Sequence, residues 1–164
     1  MLIGRIGRTL LIACALVGTI AAFACSSPVD LKQNVQVVDV STGWFDAGVV
    51  DGKNKLVPSL TFKLRRPPGV DLSSVSLNLV FKKVDGTEHD DVYVQRVAFH
   101  DNGDTDPIPV RSQTGYTGDP PQSRADMLKH KDFIDMEVEV FARQSSSQWV
   151  PLHKVRIERN LLTH

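Results

Sequence analysis

Residues 75–100 read VSLNLVFKKVDGTEHDDVYVQRVAFH, and the fold is decided there. Val75, Leu77, Leu79 and Phe81 alternate with Ser76, Asn78 and Lys82, the period of two that a strand with one buried face requires. Asp85-Gly86 supplies a turn, because glycine accepts the positive φ of a tight hairpin. Residues 92–99 return with β-branched and aromatic side chains that suit a pleated surface. The spacing predicts one long β-hairpin at the centre of the chain.

Similar alternation lies on both sides of it. In residues 55–65, Leu60, Phe62 and Leu64 point one way and Ser59, Thr61, Lys63 and Arg65 the other. Pro67-Pro68-Gly69 stops that strand, since proline has no N–H for the ladder. Residues 35–40 read as an earlier strand, and Gly43 and Gly48 are expected to mark a bend or bulge after it. In residues 133–142, Ile134, Met136, Val138 and Val140 share one face, with Asp135, Glu137 and Glu139 on the other. The last strand, residues 149–159, sets Val155 and Ile157 inward and Lys154 and Arg156 outward, with a bulge or edge position expected near Pro151. If these two strands pair, an acidic row faces a basic one, each such pair contributing about 0.2–1 kcal/mol.

Ser123-Arg124-Ala125-Asp126 has capping-box spacing and predicts a short helix over residues 123–130, inside an otherwise irregular connection from 112 to 131. The chain is therefore all-β, with about seven strands at regular spacing. A β-sandwich fits that pattern, and a small closed barrel is the rival.

The chain opens differently. Arg5 and Arg8 precede an uncharged, mostly apolar run at residues 9–23, and small residues follow at Ala22 and Ala24. This is the arrangement of a cleavable signal peptide over residues 1–24. The run is shorter than the roughly 20 residues a membrane-spanning helix needs. Residues 25–33 are expected to be a polar tether and residues 34–164 a single domain. Cys14 falls in the leader and Cys25 just beyond it, so the domain has no thiol for a disulfide, a thiolate metal site or a nucleophile. Basic and acidic residues balance at 19 each, and removal of Arg5 and Arg8 leaves a slight acidic excess. That balance gives no argument for nucleic acid or an anionic bilayer as partner.

Ala22-Phe23-Ala24-Cys25 resembles the lipobox of bacterial lipoproteins, with Ala22 where leucine is favoured and Phe23 where a small residue is usual. The resemblance implies lipidation of Cys25 and anchoring in the bacterial cell envelope, facing the periplasm or exterior. Ser26 in the following position implies the outer membrane in a diderm cell. The other reading is ordinary cleavage that leaves Cys25 as a bare thiol. The segment from Ser76 to Phe99, with its VDG turn, is similar to the core hairpin of immunoglobulin-like sandwiches in exported bacterial proteins, including the FxLYD type. That resemblance implies an immunoglobulin-like antiparallel β-sandwich of about seven strands with one short helix. It implies no activity, since the fold hosts many unrelated functions.

Few residues point to chemistry. Asp101, Asp104 and Asp106 form the one cluster dense in oxygen ligands and are a candidate calcium site. Their spacing is not that of an EF-hand, and a solvated turn explains the same residues. His89, Asp90 and Asp91 are a weaker metal candidate with His100, because adjacent strand residues point to opposite faces. His130, His153 and His164 lack a partner at ligand spacing. Asp135, Glu137 and Glu139 would need a raised pKa for glycosidase chemistry, and a wet strand face does not supply one. No nucleophile elbow and no phosphate-binding or dinucleotide glycine motif occurs. Tyr116, in the 113–121 loop, is a candidate partner contact, being aromatic with a polar tip. The expectation is a non-catalytic adapter that needs no cofactor and docks an envelope protein. The alternative is a calcium- or glycan-binding domain using the 101–106 and 113–121 loops.

Overall fold

The expected hairpin forms: in a computed structural model, β3 (Ser74–Lys83) pairs antiparallel with β4 (His89–Ala98). The structure describes residues 29–86 and 89–162. The leader, Cys25 and residues 26–28 lie outside the described residues, as does His164.

In chain order the remaining elements begin with α1 (Leu31–Asn34), β1 (Gln36–Val50) and β2 (Lys53–Arg65). After the central hairpin come β5 (Ile108–Arg111), β6 (Tyr116–Gly118), α2 (Arg124–Lys129), β7 (Met136–Arg143), β8 (Val150–Arg156) and β9 (Leu161–Leu162). They form two sheets, one ordered β4-β3-β7-β8 and the other β5-β2-β1-β9, with β6 also on β2. The pairings are antiparallel except β1 with β9, which is parallel. The fold is an all-β sandwich, not a closed barrel. Val75, Leu77, Leu79 and Phe81 from β3, with Val138, Val140 and Ala142 from β7, share one core with Trp44, Leu56, Leu60, Phe62 and Leu64 of the other sheet.

Pro58 sits inside β2 and shows how a central strand tolerates proline. Its carbonyl accepts from the Ser112 N–H, so its nitrogen faces the same side. On that side β5 pairs with residues 59–62 and β6 with residues 54–56, leaving the ladder broken where the missing N–H lies.

The acidic and basic rows do face each other. Glu137 lies opposite Arg156 and Glu139 opposite Lys154, and Lys154 Nζ stands 2.6 Å from Glu137 and 3.3 Å from Glu139. β8 is an edge strand, and its register shifts between Val140 and Phe141, beside Pro151, as expected. The short helix also forms, with the Ser123 hydroxyl accepting from the Asp126 N–H at 3.1 Å.

Several expectations are corrected. There are nine strands and two short helices among the described residues, because β6 and β9 span too few residues to show a period. The polar tether does not extend to Gln33: α1 caps itself on Asp30 and buries Leu31 at 2 % exposure. The bulges of β1 fall at residues 39–40 and 47–48, where Asp39 and Gly48 have positive φ, and not at Gly43. Gly43 answers a close approach instead, since a Cβ there would stand 2.6 Å from Asn160 Oδ1 and 2.7 Å from Leu162 Cδ2. Ile134 lies outside β7 and is exposed, while Ala142 takes the fourth inward place at the other end of the strand.

Candidate functional site

The acidic loop after β4 is a clamp on the end of β2. Arg65 grips the Asp104 carboxylate with Nε at 2.7 Å and Nη2 at 2.9 Å. That hydrogen-bonded guanidinium holds the Asp104 carboxyl below its usual range. His100 Nε2 stands 3.1 Å from Asp106, and Asp101 is exposed. The Arg66 N–H donates to the Gly103 carbonyl at 2.8 Å, and Gly103 has φ +89°. A Cβ there would meet the Arg66 carbonyl oxygen at 2.5 Å. Asp101, Asp104 and Asp106 are thus not brought together, because a β2 arginine takes the central carboxylate. No group of three or more His, Cys, Asp or Glu among the described residues is placed to hold a metal.

The other acidic candidates are also engaged in structure. Asp90 accepts from the Ser112 hydroxyl at 2.6 Å and the Gln113 N–H at 2.7 Å, while Asp91 is exposed. Glu139 is held below the usual carboxylate range, chiefly by the hydrogen bond from Lys82, which outweighs the opposing effect of burial, with a further hydrogen bond from Lys154. Asp135 pairs with Arg156 and Arg159. A lowered pKa is the reverse of what a glycosidase acid needs. His130 accepts at Nδ1 from the Asp132 N–H, and His153 lies opposite Val140 on the edge strand.

Tyr116 is not on an irregular loop. It begins β6, paired with Leu56, and packs edge-on against Phe133 with ring centroids 4.9 Å apart. Its hydroxyl lies 3.4 Å from His130 Nδ1. It lines a cleft of about 220 Å³ with Trp44, Lys83, Asp132, Ile134 and Met136. Beyond the cleft the β1–β2 hairpin projects, and its tip exposes Val49 at 62 % and Val50 at 40 %. Val84 and Ile134 are exposed beside the same cleft, where the Val84 N–H donates to the Asp135 carbonyl. This end of the sandwich combines exposed apolar side chains with the charged Lys83 and Asp132.

The opposite end carries a basic groove of about 590 Å³ on the outer face of β4, β3 and β7. Its floor is Ser74 and Ser76 of β3, its walls Tyr93 and Arg96 of β4 and Arg143 of β7. Small residues on the middle strand between long ones on its neighbours make a trough. A bulge supplies Arg96: Leu77 pairs with Val94 and Val75 with Val97, so residues 95 and 96 together oppose Ser76. The Arg143 guanidinium stacks on Trp149 at 4.5 Å and donates to the Tyr93 hydroxyl at 3.4 Å. Hydrogen bonds involving Ser76 and then Arg143 lower the Tyr93 pKa. Sequence reasoning missed Arg96, Arg143 and Trp149, since their convergence depends on register and on the bulge.

The two ends differ in one further respect. The Val29 N–H donates to Oε1 of Gln144, a residue of the groove, at 3.0 Å. The chain therefore enters the domain at the groove end, away from the exposed valines. No helix among the described residues is long and apolar enough to cross a membrane.

No protein-family model matches the chain, and no curated protein matches it. Among solved structures, it is similar to one described as the X-ray structure of Northeast Structural Genomics Consortium target SoR45, at 12 % identity and a TM-score of 0.38. That similarity covers 77 % of this chain and 88 % of the other. Likeness at this level says nothing of function.

Proposed function

We propose that the chain is an exported, non-catalytic adapter of the bacterial cell envelope, anchored by lipid on Cys25 and docking an envelope protein with the end of the sandwich farthest from that anchor. The observation that carries this reading is the set of exposed apolar side chains at one end of the sandwich: Ile134 in the lining of the Tyr116 cleft, Val84 next to its Lys83, and Val49 and Val50 at the β1–β2 tip. Apolar residues scattered singly on a surface are ordinary, but several at the same end of a domain offer a partner apolar surface to bury. The entry of the chain at the other end supports it, because an anchor there leaves the valine tip pointing away from the membrane. The partner is expected to offer an apolar surface that buries the hairpin tip, with Tyr116 at the edge of the contact.

A photo-crosslinking residue at position 49 tests this in cells, with one at exposed position 71 as the control. The reading expects a discrete adduct from position 49 that Val50→Asp abolishes and that position 71 does not give. Equal adducts from both positions, or none from position 49 in a correctly fractionated protein, would contradict it.

A further inference from the structure

We infer that the groove formed by Ser74, Ser76, Tyr93, Arg96, Arg143 and Ser145 binds the phosphate of an anionic phospholipid headgroup in the membrane that holds Cys25. The inference rests on the reading of Cys25 as the anchored residue.

Three observations carry it. The first is chemical: two guanidinium groups face a trough whose floor and rim are serine hydroxyls, with no carboxylate in the lining. Guanidinium forks match phosphate oxygens two at a time, and hydroxyls donate to the remaining lone pairs. Among the described residues neither Arg96 nor Arg143 is paired with a carboxylate, unlike Arg65, Arg124, Arg156 and Arg159.

The second is distance. Val29 is hydrogen-bonded to Gln144 in the groove lining, and Cys25 lies four residues before it. Four residues span at most about 14 Å fully extended. A lipid on Cys25 therefore keeps the groove within reach of headgroups and keeps the valine tip away from them.

The third is the pair of rings beside the groove. Tyr93 is half exposed, and Trp149 meets it edge-on at 6.0 Å with Arg143 stacked against it. Tyr and Trp suit the membrane–water boundary because each has an apolar body and one polar group. The loop that follows β4 carries Asp101, Asp104 and Asp106, so the attraction is local to the groove and not a property of the whole domain. Binding is accordingly expected to saturate and to depend on the two arginines.

The test uses the mature chain from residue 25 with Cys25→Ser, which contains every described residue and hence the whole core. It is co-sedimented with phosphatidylcholine vesicles, with and without phosphatidylglycerol, and with soluble glycerol 3-phosphate as competitor. Binding is expected to rise several-fold with phosphatidylglycerol, to saturate, and to be lost in Arg96→Ala and in the Arg96→Ala/Arg143→Ala pair. Arg96 is exposed, so its single variant keeps the test valid if the Arg143 change disturbs the stack on Trp149; an unchanged thermal midpoint verifies this. Equal binding to both vesicles, binding untouched by Arg96→Ala, or saturable uptake of glycerol 3-phosphate without vesicle preference would each overturn the inference. Because the chain tested carries no lipid, the result is independent of whether Cys25 is lipidated in cells.

Discussion

The carboxylate of Asp90, on β4 of one sheet, accepts the Ser112 hydroxyl at 2.6 Å just beyond β5 of the other. With the Gln113 N–H on the same oxygen, this side chain bolts together the two layers along one open side of the sandwich. Without Asp90 the buried Ser112 hydroxyl keeps Thr114, whose Oγ1 lies at 3.0 Å and whose N–H donates to it at 3.1 Å, so what is lost is the bond between the layers and the acceptor of the Gln113 N–H. Asp90→Ala is expected to cost about 1–2 kcal/mol, read as a lower urea midpoint with an unchanged slope. Ser112→Ala should cost less, and the double variant little more than Asp90→Ala alone, since both changes remove one shared contact. Additive losses would show that the two residues act separately.

The charged rows on the outer face of β3, β7 and β8 set how stability responds to acid. Glu139 and Asp104 both have folded pKa values below their ordinary range, Glu139 through Lys82 and Lys154, Asp104 through Arg65. A depressed folded value means that the stabilisation is present above the unfolded pKa and is lost as pH falls through the folded one. Stability should therefore decline from about pH 4–5 downward, the unfolded carboxylates titrating near there. The two carboxylates are partly buried but their basic partners are exposed, so the slope is shallow and salt reduces it further. Replacing Lys82 and Lys154 by Met should flatten the acid limb. Lys154, raised by Glu137 and then Glu139, acts in the opposite sense: its contribution is present below its ordinary value and lost as pH rises through the raised one. An acid limb identical in the double variant would show that the rows are decorative.

Gly103 is a sharper prediction about the acidic loop. It combines φ +89° with a Cβ position 2.5 Å from backbone, which no side-chain rotation relieves. Gly103→Ala should destabilise by roughly 1–3 kcal/mol, the range for a strained backbone position. It should also loosen the Arg65–Asp104 pair, visible as faster amide exchange at Arg66, whose N–H bonds to Gly103. A neutral substitution would mean that the loop does not clamp β2.

Calcium offers a direct check on the same loop. Asp104 is gripped twice by Arg65 and Asp106 lies against His100, so a cation would have to break existing pairs to gather three carboxylates. Millimolar calcium should leave the thermal midpoint of the wild type where it is. A rise would show that Arg65 releases Asp104 and that the carboxylates converge after all.

How far the sequence discloses this arrangement depends on the range of each interaction. β3 and β7 were legible because each has one wet face and one buried face, so a period of two fixes which residues point inward. The same rule on two neighbouring strands foretold Glu137 and Glu139 against Lys154 and Arg156. Single apolar residues carry no period, so Leu31 reads in the sequence as part of a tether although it is buried. β6 and β9, at three and two residues, are too short to leave a pattern. The Asp104 partner lies 39 residues away, and nothing local marks it. The groove was invisible for a related reason: Arg96 reaches it through a bulge, and Arg143 faces Ser76 only in the observed register. Net charge conceals the groove as well, because a balance of 19 basic and 19 acidic residues over the whole chain says nothing of two arginines without a carboxylate partner in one trough.

The proposed lipid anchor at Cys25 would decide which end of the sandwich meets the membrane and which meets a partner. Labelling cells with a palmitate analogue tests it most directly, comparing the wild type with Cys25→Ala. Label on the wild type that disappears in the variant is the predicted result. Label that survives the substitution, or a wild-type chain that matures without any, would contradict it.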